Sequence, residues 1–312
     1  MVGTLLLTTT STGYAVEEIY VDSEHGSDQD GDGIQSSPYK TITKTVEVAN
    51  GISTEVIIHI EDGTYNSDLG EEYPLEIEDV QMVGNTVTPT SVKVVGECRF
   101  TSATIKGLGF YRTVDLYDDV IFANNELPTS STYIGVHVDG DNVEVRENRI
   151  EDDLSVQGDQ VIISDNVFIG QGVSYFPYSR IEVTITGNSF EDSNTAISSA
   201  IRSESRLNII NNDFSNTHRG VEIDLRKGGV PSIKLERNNI SSTIPIDIHG
   251  STDVEVDLGG GSLGSSGENV IKGETLLQDN RPSYSGTIYA KNNTWKDSSG
   301  NEIQPPEVLE GP

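Results

Sequence analysis

The chain has 312 residues, with 20 Lys+Arg against 50 Asp+Glu and a formal net charge of −30. That charge repels phosphate backbones, which excludes nucleic-acid binding by electrostatic attraction. A single Cys permits no internal disulfide, no Cys/His group has zinc spacing, and no apolar run approaches the ~18–20 residues of a membrane span.

At the amino terminus, Val2-Gly3-Thr4-Leu5-Leu6-Leu7, a Thr/Ser stretch and Gly13-Tyr14-Ala15 read as the tail of a secretory signal whose basic region is missing. Residues 1–15 are therefore expected to be a clipped signal remnant. The mature chain would then start near Val16, outside the cytoplasm.

Residues 16–52 hold a strand, an Asp/Gly loop and one helix. Asp28, Asp30 and Asp32, with Gly31 and Gly33, match the first half of a calcium loop, but Tyr39 stands at the twelfth position, where a carboxylate is needed. A Gly/Asp turn ahead of the helix accounts for the same residues, and both readings stay open. Ser37 is expected as the N-cap and Pro38 as the first helical residue, with Tyr39, Ile42, Val46 and Ala49 as the apolar stripe and Asn50-Gly51 as the stop. Such a helix would plug one end of the fold.

From 53 to 300 a repeat of about 22 residues dominates. Each unit has a short alternating strand, an Asn at its sixth position and an apolar residue at its eighth. The copies span 80–87, 120–127, 143–150, 161–168, 183–190, 207–214, 233–240 and 288–295, with Asn85, Asn125, Asn148, Asn166, Asn188, Asn212, Asn238 and Asn293 at the sixth position. Two wider gaps leave room for one more unit each, for which 104–110 and 254–263 are candidates. Asn can turn the chain in a left-handed conformation between two strands. Stacked units would pair in parallel at ~4.8 Å and align the Asn side chains into an amide ladder. The expected fold is all-β: a single-stranded right-handed parallel β-helix of about eleven rungs, roughly 50 Å long.

A second strand precedes each Asn strand. Its alternation puts Val136, Val138, Val221, Ile223, Ile246 and Ile248 inside. It puts Asp115, His137, Asp139, Glu222, Asp224, Asp247 and His249 outside. Seven residues before the Asn, the first four copies carry an acid: Glu78, Asp118, Asp141 and Asp159. Asp suits a corner, but stacked carboxylates repel, so Asp118, Asp141 and Asp159 could equally form a cation ladder. Residues 301–312 read as an extended tail that leaves the last rung uncapped.

Tyr20-Val21-Asp22, Gly26-Ser27-Asp28, Asp32-Gly33, Ser37-Pro38-Tyr39-Lys40-Thr41-Ile42 and Gly63-Thr64-Tyr65 resemble the start of secreted pectin-lyase-like β-helix proteins. Asp257-Leu258-Gly259-Gly260-Gly261 and Gly264-Ser265-Ser266-Gly267-Glu268-Asn269 look like the C-terminal signature of a domain-of-unknown-function family in that superfamily. The resemblance implies the fold and no activity. In lyases and hydrolases of the superfamily, the outer face of the preceding strands holds the substrate cleft. Here that face offers paired acids suited to glycoside hydrolysis. Lyase chemistry would need a base, for which Arg226 and Lys227 are nearest in sequence. No complete polygalacturonase, pectate-lyase or pectin-esterase set is present.

The expected role is that of a secreted or cell-surface protein that binds or coats, in contact with carbohydrate or another extracellular polymer, rather than one that catalyses. A polysaccharide lyase or glycoside hydrolase is the alternative, and a calcium-assisted head-to-tail fibre or sheath subunit the third. Calcium is the only cofactor the sequence suggests. Because alternation sends the acids outward, the charge is that of a rod's surface and self-repulsion opposes compaction. The melting temperature is expected to rise between low and high ionic strength; a value independent of salt would contradict this placement of the charge.

Overall fold

A computed structural model describes residues 16–129, 135–177, 181–201, 204–225, 231–250, 255–281 and 287–305. The expected signal remnant, 1–15, lies outside the described residues. The chain winds as a right-handed parallel β-helix. One side is a twelve-stranded sheet that begins with Val16–Val21 and Glu55–Ile60 and ends with Ile288–Tyr289. Its inward row runs in register through Ile58, Met82, Ile105, Phe122, Val145, Ile163, Ile185, Ile209 and Leu235, all buried. Period-2 alternation produces this: one residue of each pair faces the core and the next faces out.

The other sides belong to a nineteen-stranded parallel sheet. The apolar eighth position of the repeat proves to lie in a short strand of its own, just past the Asn corner. Leu127, Ile150, Phe168, Phe190, Phe214, Ile240, Ile271 and Trp295 stack there in register. The Phe168, Phe190 and Phe214 rings lie face over face with centroids 4.9 Å apart, close to the rung spacing itself. In Asp213–Leu225 and Asn239–Gly250 this side and the next run as one strand, with a register shift between Phe214 and Thr217.

The Asn ladder is present and is shifted by one member. Each ladder Asn donates its backbone N–H to Oδ1 of the next one along the chain: 125 to 148, 148 to 166, 166 to 188, 188 to 212, 212 to 238, 238 to 269 and 269 to 293, at 2.8–3.0 Å. The side-chain amide donates onward along the ladder and to a carbonyl of the previous rung, as Asn188 does to Ile163 at 2.9 Å. Two expectations are corrected. Asn85 is not a member, since its exposed side chain accepts from Val87 and Thr88 N–H in a local turn, and Val87 is 90% exposed. Asn269 is the missing member, reached through the Gly-rich loop 258–268. The left-handed residue is also not the Asn but the one before it: Asn124, Glu147, Asp165, Gly187, Asn211, Arg237, Glu268 and Asn292 all have positive φ. The Asn can then turn its side chain inward, where its donors and acceptor are all used.

The Gly-rich loop closes on Asp257, which is fully buried. Its carboxylate accepts the N–H groups of Gly259, Gly261 and Ser265 at 2.9–3.1 Å. Buried charge is tolerated because three donors replace water.

The helix is shorter than expected. It spans Ile42–Ala49 with Thr41, not Ser37, as N-cap. Tyr39 is held in a bridge to Val21, so Pro38 and Tyr39 cannot be helical. The carboxylate of Glu71, itself buried, accepts the first helical N–H groups, Ile42 at 2.7 Å and Thr43 at 2.8 Å. Burial pushes the Glu71 carboxyl up, opposed by its Thr43 hydrogen bonds. Anchored at both edges, the helix lays Ile42, Thr45, Val46 and Ala49 over the first rungs. At the other end residues 297–303 do not run free. Ile303 N–H donates to Trp295 at 2.9 Å, and Lys296 bridges antiparallel to Glu302.

Replacing Asn188 by Leu keeps its bulk but strands the Asn166 N–H groups and the Ile163 carbonyl. The expected cost is about 3 kcal/mol or more in denaturant unfolding. Asn85→Leu should stay within about 0.5 kcal/mol. Equal costs at the two positions would contradict the ladder assigned here.

Candidate functional site

The third side of each rung carries one outward lane. Parallel register aligns Glu76 with Arg99, Asp115 and His137. The lane continues through Ser155, Ser174 and Ser198 to Glu222, Asp247 and Gln278. Ten consecutive rungs therefore present one polar side chain each, over roughly 43 Å at rung spacing. Three serines in the middle leave a low floor between larger side chains at either end.

The upper end is an ion-pair chain. Arg99 reaches Glu76 at 2.9 Å, Glu97 at 2.7 Å and Asp115 at 3.5 Å, and Asp115 Oδ1 lies 3.0 Å from His137 Nδ1. Beside it, burial pushes the Asp153 carboxyl up, against a 3.0 Å hydrogen bond from Ser174 Oγ. Asp139 stands exposed at the strand's end and joins neither group.

The lower end is a tighter cluster. Register sets Glu222 against Asp247 and Asp224 against His249, so four outward side chains on two rungs form a square. Asp247 was expected on the open surface. It lies on the outer face but is fully buried, because Arg219 Nε contacts its Oδ2 at 3.0 Å and Asn280 Nδ2 its Oδ1 at 3.3 Å. His249 Nε2 is 3.0 Å from Asp247 Oδ2 and 3.5 Å from Glu222 Oε1. Ser198 Oγ donates to Glu222 at 3.3 Å. The two clusters are four rungs apart, roughly 19 Å, so Asp115 and His137 do not act on the same bond as Glu222 and Asp247.

The cation candidates separate in the same way. Asp28 Oδ1 accepts Lys40 and Thr41 N–H at 2.8 and 3.0 Å, and Oδ2 accepts the Thr41 hydroxyl at 2.9 Å. It tethers the cap helix. Asp30 and Asp32 are exposed and do not converge with it. Asp118, Asp141 and Asp159 do stack at a corner, but each carboxylate accepts the N–H of the next rung: Asp141 at 2.7 Å, Asp159 at 2.8 Å and Glu182 at 2.6 Å. Each carboxylate of the stack thus has an N–H donor from the next rung as a partner. Among the described residues, only Glu222, Asp247 and His249 bring three potential ligand atoms within 4.8 Å of one another. Arg226 and Lys227 lie outside the described residues.

The profile of a family described as "Protein of unknown function (DUF1565)" matches residues 25–301. The chain is a member of the DUF1565 family. No curated protein matches it. Among solved structures it is similar to a hyperthermoactive exopolygalacturonase from Thermotoga maritima, at 12% identity over 82% of this chain and 86% of that one, with a TM-score of 0.57. A GH136 lacto-N-biosidase from Eubacterium ramulus aligns at 10% identity over 89% and 67%, with a TM-score of 0.48. The DUF1565 chain thus has a pectin-lyase-like parallel β-helix, a fold it shares with a polysaccharide-degrading enzyme. Likeness at this identity is one of fold, and function must be argued from the lane.

Of the seven outer-face candidates, Asp115, His137, Glu222 and Asp247 lie in the lane, Asp224 and His249 lie beside it, and Asp139 lies past the strand's end. Sequence reasoning missed Arg219, Asn280 and the three serines. Arg219 lies in the same strand as Glu222, three residues earlier, and that spacing was its one visible signal.

Asp28 tethers the cap helix through three hydrogen bonds, so Asp28→Ala should cost on the order of 1–3 kcal/mol. The cost should be the same in calcium and in a chelator at matched ionic strength. A penalty that appears only with calcium would restore the calcium loop.

Proposed function

We propose that the protein is secreted or displayed at the cell surface and binds an extracellular carbohydrate chain along the outer lane. The observation that carries this reading is the unbroken register of ten polar positions. A rung-spaced row of hydroxyl, carboxylate, imidazole and guanidinium groups offers repeated hydrogen bonds to an extended polyhydroxyl ligand, with the Ser155–Ser174–Ser198 floor as its bed. Net charge selects among such ligands. A surface of −30 disfavours polyuronates and favours neutral or basic glycans. Both ends of the rod carry chain over the outermost rungs, the helix at one and residues 297–303 at the other, which favours a single binding rod over a head-to-tail fibre.

The Glu222–Asp247 pair favours a second reading, glycoside hydrolysis. Their ligand atoms lie within 4.8 Å, short of the span that leaves room for a water between two carboxylates in an inverting enzyme. A nucleophile and an acid at this separation would retain configuration.

Affinity electrophoresis against neutral, basic and uronate polysaccharides separates these outcomes. Retardation by a neutral or basic glycan is expected, weakened about tenfold or more when the floor is filled by Ser174→Arg. Preference for polyuronates, or binding indifferent to Ser174→Arg, would overturn the lane as the binding surface. Turnover abolished by Glu222→Gln would establish the second reading in place of the first.

A further inference from the structure

We propose that Glu222, Asp247 and His249 form a site for a divalent transition-metal ion of zinc type, ligated by His249 Nε2 and one oxygen from each carboxylate. The first argument is geometric. Metal–ligand bonds of about 2.0–2.2 Å at tetrahedral angles set ligand atoms about 3.3–3.6 Å apart. His249 Nε2 lies 3.0 Å from Asp247 Oδ2 and 3.5 Å from Glu222 Oε1, with all three atoms inside 4.8 Å. The two distances from Nε2 are close to the edges of one coordination tetrahedron.

The second argument is independent of the acids. His249 Nε2 is buried and has no hydrogen-bond partner, although a carboxylate oxygen is only 3.0 Å away. A cation between the imidazole nitrogen and the carboxylate oxygens would give that nitrogen a partner. Two other buried carboxylates, Glu71 and Asp257, are instead met by N–H donors.

Arg219 Nε, on the same Oδ2 that faces His249, and Asn280 Nδ2, on Oδ1, hold the Asp247 carboxylate in place. Arg219 supplies positive charge next to the site, so both carboxylates are needed to make it attractive to a dication. An imidazole ligand selects against calcium and magnesium, which take oxygen donors. Three protein ligands leave a fourth position. His249 and Glu222 side chains are 32% and 26% exposed, so that position opens to solvent at the end of the serine floor.

The test reads metal alone and does not depend on any polymer. Chelator-stripped protein is titrated with Zn²⁺ by calorimetry in excess Mg²⁺, which occupies weak surface acids, and with Co²⁺ followed by its visible absorption. One ion per chain is expected, with a tetrahedral Co²⁺ spectrum. His249→Gln and Glu222→Gln should each weaken it by more than about tenfold, and Asp118→Asn should leave it unchanged. Far-UV circular dichroism of the variants confirms that the rod is intact. Absence of saturable Zn²⁺ binding, or a site that survives His249→Gln, would overturn the proposal. Failure of glycan binding would leave it standing.

Discussion

The whole rod depends on a carboxamide being donor and acceptor at once. Many strands here have only two or three residues, too few to fix their own register. At the corners from Asn125 onward, the ladder Asn accepts the backbone N–H of its neighbour and donates to a carbonyl of the rung before, as Asn188 does. That double bond pattern ties consecutive rungs at one point, and every other row inherits its phase from there. A carboxylate could accept but not donate, and an apolar residue could do neither. The positive-φ residue just before each Asn follows from the same demand, because only that bend turns the side chain into the ladder.

With one corner fixed, the other corners are free to differ. Spacing between ladder members ranges from 18 residues, between Asn148 and Asn166, to 31, between Asn238 and Asn269. The extra chain in the longest unit goes into a loop gathered around Asp257, and the ladder passes beneath it undisturbed. Repetition with tolerant corners yields a linear array of side chains rather than a pocket. A ligand that is itself a repeating chain is the natural partner for such a surface, while chemistry that needs several groups around one atom arises only where two rungs both carry charge, as at Glu222, Asp247 and His249.

Much of this was legible in the residues. The alternation of 135–138, 221–225 and 246–249 correctly divides interior from exterior, and seven of the eight ladder Asn stand out by spacing. The failures have physical causes. Asn85 fits the pattern of the repeat, yet it precedes a turn whose N–H groups compete for its side chain. Asn269 breaks the spacing because its rung carries an insertion. Ser37-Pro38 has the chemistry of a helix start, but a bridge from Tyr39 to Val21 claims the backbone first, and the helix waits for Thr41 and the distant carboxylate of Glu71. The N–H donors of the stacked Asp118, Asp141 and Asp159 belong to other rungs and could not be read from the sequence.

Sequence alone determined the class of object: an acidic solenoid with a thin aliphatic core, an Asn corner and a helix near one end. Composition and period suffice for that, because inward and outward positions alternate within each strand and need no knowledge of neighbours. Only the tertiary structure decided which side chains meet across rungs. The number of residues per turn varies, so register cannot be counted along the chain and is set by the ladder in space. The serine floor, the covering of Asp247 by Arg219 and Asn280, and the convergence of His249 on two carboxylates are all contacts between rungs. The −30 charge is part of the same division: its sign and size are written in the composition, and its one concentrated, half-buried focus is a product of the fold.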